Sequence, residues 1–206
     1  MLRIYFIGFI LAIATPVAAQ YSEIGFHGGS SYYIGDLNPY KHFTHNPKFG
    51  AGAFWRYNIT DRHAFRVNFT YTNVEGSDAE SDNEWRRNRN LQFQSEIIEA
   101  SVLLEINFLS YEIGDPNRPY TPYVFGGLAY FRMNPKTDFN GNLVELHPLG
   151  TEGQLAEGSE NSYGLGQIAI PFGMGFKFNI TGRVAMSIEY GFRKLFTDYL
   201  DDVSTV

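Results

Sequence analysis

Leu165–Arg193 reads LGQIAIPFGMGFKFNITGRVAMSIEYGFR, and its alternation decides the fold. Ile168, Ile170, Phe172, Met174, Phe176 and Phe178 share one parity. Gln167, Ala169, Pro171, Gly173, Gly175 and Lys177 share the other. After the turn Asn179-Ile-Thr-Gly182, Val184, Met186, Ile188, Tyr190 and Phe192 alternate with Ala185, Ser187, Glu189, Gly191 and Arg193. Strict period two across a tight turn specifies a β-hairpin. One face is bulky and apolar, and the other is small or charged. A soluble sheet buries its bulky face, whereas a strand in lipid turns that face outward and keeps the small and polar residues inside.

The ends of the chain narrow the class. Arg3, the apolar run Ile4–Ile13 and the small residues of Thr15-Pro-Val-Ala-Ala19 form the pattern of a signal peptide. The run is too short for a membrane-spanning anchor helix, which is the competing reading. Residues 1–19 are therefore expected to lie outside the fold, with cleavage after Ala19 and Gln20 as the new start. The remainder, about 187 residues of 206, suits one domain, 20–206. Its formal charge moves from −6 to −7 when Arg3 leaves, which argues against a nucleic-acid partner. The sequence has no cysteine, so lipoprotein anchoring, disulfides and thiolate chemistry are excluded. No long apolar run follows residue 19, so no transmembrane helix is expected there. Aromatics at 17% and 21 glycines, set on alternating strands, favour an outer-membrane barrel over a secreted soluble protein.

Working back from the hairpin, the same alternation marks five earlier strands. Ser22–Ile34 sets Ile24, Phe26, Tyr32 and Ile34 against Glu23, Gly25, His27, Gly29 and Ser31. Lys48–Asn58 sets Phe49, Ala51, Ala53, Trp55 and Tyr57 against Gly50, Gly52, Phe54 and Arg56. Phe65, Val67, Phe69 and Tyr71 then oppose Arg66, Asn68, Thr70 and Thr72. In Phe93–Phe108, Ile98, Ala100, Val102, Leu104 and Ile106 oppose Glu99, Ser101, Leu103, Glu105 and Asn107. Pro122–Met133 is apolar on both parities. Tyr123, Phe125, Ala129, Phe131 and Met133 are assigned outward, and Val124, Gly126, Leu128, Tyr130 and Arg132 inward. Connections alternate in length: 35–47, 76–92 and 134–164 are long, 58–62 and 179–182 short, 109–121 intermediate. Long external loops and short periplasmic turns are the habit of outer-membrane barrels. The turn Asn58-Ile-Thr-Asp-Arg62 recurs as Asn179-Ile-Thr-Gly-Arg183, a reuse of turn chemistry at one rim. These strings also match a glycosylation sequon, a reading given little weight in a tight bacterial-type turn.

The expected fold is all-β, an antiparallel up-and-down transmembrane β-barrel. Eight strands are required and about seven are present, because such barrels use an even number. The seventh strand is followed by what reads as an external loop up to Val206. The expectation is that a final strand is missing and that the first and seventh strands are left with open edges.

Inward-facing charges are expected at Glu23, Arg56, Arg66, Glu99, Glu105, Arg132, Lys177, Glu189 and Arg193. They form either a paired network that fills the lumen or an ion pathway. Eight strands leave room only for side chains, which favours the filled lumen. His27, His63 and His147 lie on separate segments with no nucleophile and acid in order, so no catalytic residue, metal site or cofactor is assigned. Asp78, Glu80, Asp82 and Glu84 lack calcium-loop spacing; solvation explains them, and Arg86, Arg87 and Arg89 could reach lipid phosphates. Trp55, Tyr57, Tyr71, Tyr123 and Phe131 are assigned to interfacial aromatic belts.

Two strings carry a resemblance. Tyr21-Ser-Glu-Ile-Gly-Phe-His-Gly-Gly29 runs into Tyr33-Ile34 and the loop residues Gly35, Asp36, Leu37, Asn38 and Pro39. Near the end stands Phe192-Arg-Lys-Leu-Phe-Thr197, followed by Asp198, Tyr199, Leu200, Asp201, Asp202 and Val203-Ser204. Together they resemble the PorG-like outer-membrane β-barrels of Bacteroidetes-type bacteria, across essentially the whole of 20–206. The resemblance implies an eight-stranded barrel in the cell outer membrane, in contact with outer-membrane lipids. It also implies association with the type IX protein secretion machinery and its periplasmic PorK–PorN-type ring, and no catalytic residues. The family continues past the second string into a last strand; this sequence stops. The alternatives are a stand-alone structural or adhesion-type barrel, a lipid-modifying barrel enzyme, and a soluble lipocalin-like barrel. The last would turn its bulky faces inward, and it lacks the early lipocalin string.

Overall fold

The computed structural model describes residues 3–13, 22–35, 37, 47–80, 83–139, 141–149 and 164–196, with backbone alone for 3–13, 80, 139 and 149. Among the described residues nine strands lie in one sheet: β1 (Arg3–Ile13), β2 (Ser22–Ile34), β3 (Lys48–Asn58), β4 (His63–Ser77), β5 (Gln92–Asn107), β6 (Tyr120–Phe139), β7 (Asn142–Glu145), β8 (Gly166–Thr181) and β9 (Val184–Leu195). The order is β5-β4-β3-β2-β1-β9-β8-β6-β7, and a further β5–β6 pairing closes the ring. Every pairing is antiparallel. β7 is a short flap on β6, so eight strands make the barrel.

All seven strands read from the sequence are present. The eighth is β1, formed by residues of the expected leader 1–19. Arg3–Ile13 pairs along its whole length with β2, from Arg3 opposite Ile34 to Ile13 opposite Ile24. Its other edge pairs with β9, from Arg3 opposite Lys194 to Ile13 opposite Val184. The open edges expected on β2 and β9 are thus both occupied. The physical reason is parity: seven antiparallel strands leave the first and last running parallel, and one more strand is needed between them for an unbroken antiparallel ladder. The cleavage position after Ala19 lies outside the described residues.

The hairpin keeps its two faces. Ile168, Phe172, Met174 and Phe176 on β8 and Ile188 on β9 are exposed on the outer surface, together with Phe26, Phe69, Ile98, Val102 and Leu128 of other strands. Large apolar side chains therefore cover the outside, and the polar residues of the opposite parity on β2, β3, β4, β5, β8 and β9 turn inward; this is the inverted pattern of a transmembrane barrel. Strands of 11 to 20 residues exceed the length of about ten that spans a bilayer at the usual tilt. The repeated turns close the same end of the barrel by the same chemistry. The Thr60 hydroxyl accepts from the Arg62 and His63 amides at 3.1 and 3.0 Å, and the Thr181 hydroxyl accepts from the Arg183 amide at 3.3 Å.

One strand faces opposite to its sequence assignment. On β6, Tyr123, Phe125, Phe131 and Met133 point into the barrel, while Leu128 and Tyr130 are exposed outside. Arg132 shares that outer parity and is exposed, so it is not a lumen residue, and Tyr123 and Phe131 are not belt residues. Trp55, Tyr57 and Tyr71 are exposed outside as assigned. The cause is space. A Cβ on Gly173 would lie 2.7 Å from Phe125 Cζ, and one on Gly175 would lie 2.8 Å from the Tyr123 ring. The glycine-lined inner face of β8 leaves the volume that these rings fill. We expect Arg132→Ala to change stability by no more than about 0.5 kcal/mol, as for other exposed positions, while Arg66→Ala costs several kcal/mol; urea unfolding of the two variants in detergent checks the contrast.

Strands β4, β5 and β6 also run on past their expected ends, so parts of the connections 76–92 and 134–164 are strand. The rest of the first contains a short helix, α1 (Glu84–Arg89). Buried Asp78 pins the loop by accepting from Arg89 at 2.6 and 3.0 Å, and its amide bonds to the Leu91 carbonyl at 2.8 Å.

Candidate functional site: a sealed, charged lumen

The barrel interior has two layers. Toward the long loops it is apolar: Tyr33, Val74, Phe93, Ile97, Phe131 and Met133 pack into one cluster with Leu37 and Leu146. Toward the short turns it is ionic. Of the sequence-assigned lumen residues, the structure brings together Glu23, Arg56, Arg66, Glu105, Lys177 and Glu189, places Glu99 and Arg193 as a separate pair one level higher, and excludes Arg132.

Glu105, fully buried on β5, is the hub. Its carboxylate meets Arg56 Nε at 3.0 Å, Arg66 Nε at 2.9 Å and Lys177 Nζ at 2.5 Å. Arg56 passes its other end to Glu23 at 2.6 Å, and Glu23 also accepts from Asn58 at 2.6 Å. Arg66 reaches Glu189 through both terminal nitrogens, and the Tyr123 hydroxyl donates to the same Glu189. Lys177 donates to Asn107 at 3.1 Å and lies 4.3 Å over the Tyr123 ring. The Arg66 guanidinium sits between Phe54 and Phe125, 5.8 and 5.3 Å from their centroids. Above this network Arg193 and Glu99 form a two-bond pair at 3.1 Å each, and His27 meets Thr70 at 3.1 Å. Among the described residues four cations thus face four carboxylates, and their formal charges cancel. Each charge has at least one opposite partner, which the low dielectric requires. Two small spaces lie among the described lumen residues, a cavity of about 20 Å³ beside His27, Arg66 and Glu189 and one of about 10 Å³ beside Ser31, Thr72 and Phe131. Each is on the scale of one water.

The short-turn end carries a cap that parity reading does not reveal. The connection 108–119 folds over the mouth, with Tyr111 buried beneath it. The Tyr111 amide donates to the Asp61 carbonyl at 3.0 Å, and its hydroxyl donates to Asn179 Oδ1 at 2.8 Å. Asn179 returns a bond to the Glu112 carbonyl at 2.9 Å. The connection is thereby clipped to both repeated turns. Burial pushes the Tyr111 hydroxyl well above its ordinary pKa. The Asn117 amide and then the Arg118 guanidinium hold the Asp115 carboxyl below its usual value. Gly114 has φ +86°, and a Cβ there would lie 2.4 Å from the Gly182 carbonyl oxygen. Gly114→Val combines a left-handed backbone with a steric clash, so it is expected to free the connection. Limited proteolysis of the folded barrel should then cut within 109–119, where the native chain resists.

Sequence reasoning missed Asn58, Asn107, Tyr111 and Tyr123 as members of this assembly. Asn58 and Asn107 stand on inward parities next to charged neighbours, which was the available signal. Tyr111 stands in a connection with no periodicity to read. Of the family-motif positions, Leu37 is buried in the apolar layer and Gly35 directly follows β2. Asp36, Asn38, Pro39, Thr197, Asp198, Tyr199, Asp201 and Asp202 lie outside the described residues.

A family model described as "Domain of unknown function (DUF6089)" matches residues 2–205. No curated protein matches the chain. Among solved structures, it is similar to the attachment invasion locus protein Ail of Yersinia pestis, solved in complex with the heparin analogue sucrose octasulfate. The identity is 11%, 94% of this chain and 98% of that chain are covered, and the TM-score is 0.36.

Proposed function

The chain belongs to the DUF6089 family; we propose that it is a non-enzymatic outer-membrane barrel serving the type IX protein secretion machinery. In this reading residues 1–19 are a leader removed on export, the long loops are external, and the short-turn end faces the periplasm and its PorK–PorN-type ring. The single observation that carries a scaffold role over a pore role is the neutral, side-chain-filled lumen centred on Glu105. A closed interior leaves the two ends as the surfaces through which the protein acts. The clipped connection 108–119 gives the periplasmic end a fixed shape, which suits a contact surface. The secretion assignment rests on the resemblance of the Tyr21–Pro39 and Phe192–Ser204 strings to PorG-like barrels.

Removal of the leader would vacate the place of β1, and an antiparallel ring then requires another strand there. Mass spectrometry of the protein from the outer-membrane fraction should show a chain starting at Gln20; one starting at Met1 would overturn the leader. Affinity purification from cross-linked cells tests the role. Ring proteins should come down with the native barrel, and cargo export should fail on deletion. Export and ring assembly that survive deletion would leave a stand-alone structural barrel.

A further inference from the structure

On the outer face, the apolar rows of β6 and β9 each end at a cation toward the long loops. On β6 the row runs Leu128, Tyr130 and then Arg132; on β9 it runs Ile188, Tyr190, Phe192 and then Lys194. Both cations are exposed. Between them lies β8, whose outward positions at this end are Gly166 and Ile168, so no charged side chain of β8 intervenes. Neither cation meets a carboxylate among the described residues. The outward acids nearest Arg132 in the register are engaged elsewhere, Glu96 by Lys136 and Glu145 by Asn134. Lys194 lies 5.7 Å over the Phe196 ring. This patch therefore differs from the lumen, where every cation has its acid.

Tyr130 adds a donor beside Arg132. A Cβ on Gly166 would collide with the Tyr130 hydroxyl, so the phenol lies over Gly166, the register partner of Arg132. Arg132 is level with Gly166 and Lys194 with Ile170 on β8. Two strand spacings across and four residues along then set the backbones of the two cations about 16 Å apart. A single phosphate could touch both only with each side chain stretched straight toward the other, at the cost of their rotamer freedom. A headgroup with a phosphate at each end reaches both without that cost. We propose that this face binds a diphosphorylated glycolipid of the outer leaflet. One phosphate sits on Arg132 and the Tyr130 hydroxyl, the other sits on Lys194, and the acyl chains run down along Leu128, Ile168 and Phe172.

The proposal rests on the reading that the long loops are external, and the experiment separates the two. The folded barrel in detergent is incubated with equal amounts of diphosphoryl lipid A, monophosphoryl lipid A and phosphatidylglycerol, then weighed intact by native mass spectrometry. The native chain should retain one diphosphoryl lipid A in preference to the other two lipids. Arg132→Gln and Lys194→Gln should each lower that retention about tenfold. Lys136→Gln, at a cation already engaged by Glu96, should leave it unchanged. All three positions face outward, so each variant should keep the heat-dependent gel mobility of a folded barrel. Equal retention of the three lipids by the native chain overturns the site alone. So does unchanged retention by folded Arg132→Gln and Lys194→Gln, or an equal loss with Lys136→Gln. A cysteine at exposed Asn88 of α1 should react with a membrane-impermeant maleimide on intact cells. A cysteine that stays protected there overturns the external placement of the long loops, and the glycolipid with it.

Discussion

Glu105→Leu should prevent the barrel from folding to a stable state. The substitution removes the carboxylate shared by Arg56, Arg66 and Lys177 and leaves those three cations with only Glu23 and Glu189 in the same layer. Breaking a buried pair by removing one partner costs about 3–5 kcal/mol, and here one partner serves three. Globular domains have a total stability of about 5–15 kcal/mol, so a loss of that size consumes much of it. The expected result is a shift of the urea midpoint far below that of the native chain, or loss of the heat-dependent gel mobility altogether. Asp115→Asn, on the surface of the cap, should leave both nearly unchanged. A Glu105→Leu barrel as stable as the native one would mean that the ionic layer is not assembled as described.

Met174→Arg distinguishes a lipid-facing band from a solvent-facing one. Met174 is 60% exposed, and in a water-soluble barrel an arginine there would be nearly neutral. In a bilayer, the same change near the midplane costs about 2–4 kcal/mol. Unfolding titrations in phosphatidylcholine vesicles should show that loss. The same change at Asn73, above the band, should show little.

Much of this architecture is legible in the alternation itself. Phe26, Phe69, Val102 and Ile188 were placed outside by parity, and Glu23, Arg66, Glu105 and Glu189 inside, because a period-two strand has only two faces and one of them was uniformly apolar. Strand β6 failed that test because both of its faces are apolar. The missing clue lay on another strand: a face lined by Gly173 and Gly175 needs bulk opposite it, and Tyr123 and Phe125 supply that bulk. Buried Tyr123 also requires a hydroxyl partner, and Glu189 provides one. The pairing of β1 was illegible for a different reason. Arg3–Ile13 is apolar at nearly every position and carries the marks of a leader, so no alternation reports a strand. The cap escaped because Tyr111, Gly114 and Asn179 act through tertiary contacts between connections, which leave no periodic trace.

The most direct test of the two-faced barrel uses the absence of cysteine from the sequence. Single cysteines placed one at a time at positions 184–188, 190 and 192 can each carry a nitroxide spin label in the membrane-inserted protein. Power-saturation measurements then compare collision with oxygen, which dissolves in lipid, and with a water-soluble nickel chelate. Positions 184, 186, 188, 190 and 192 should be accessible to oxygen and shielded from nickel, while 185 and 187 should be shielded from both. Nickel access at 188 and 190, or a lumen row open to the aqueous reagent, would contradict a lipid-facing band around a sealed interior.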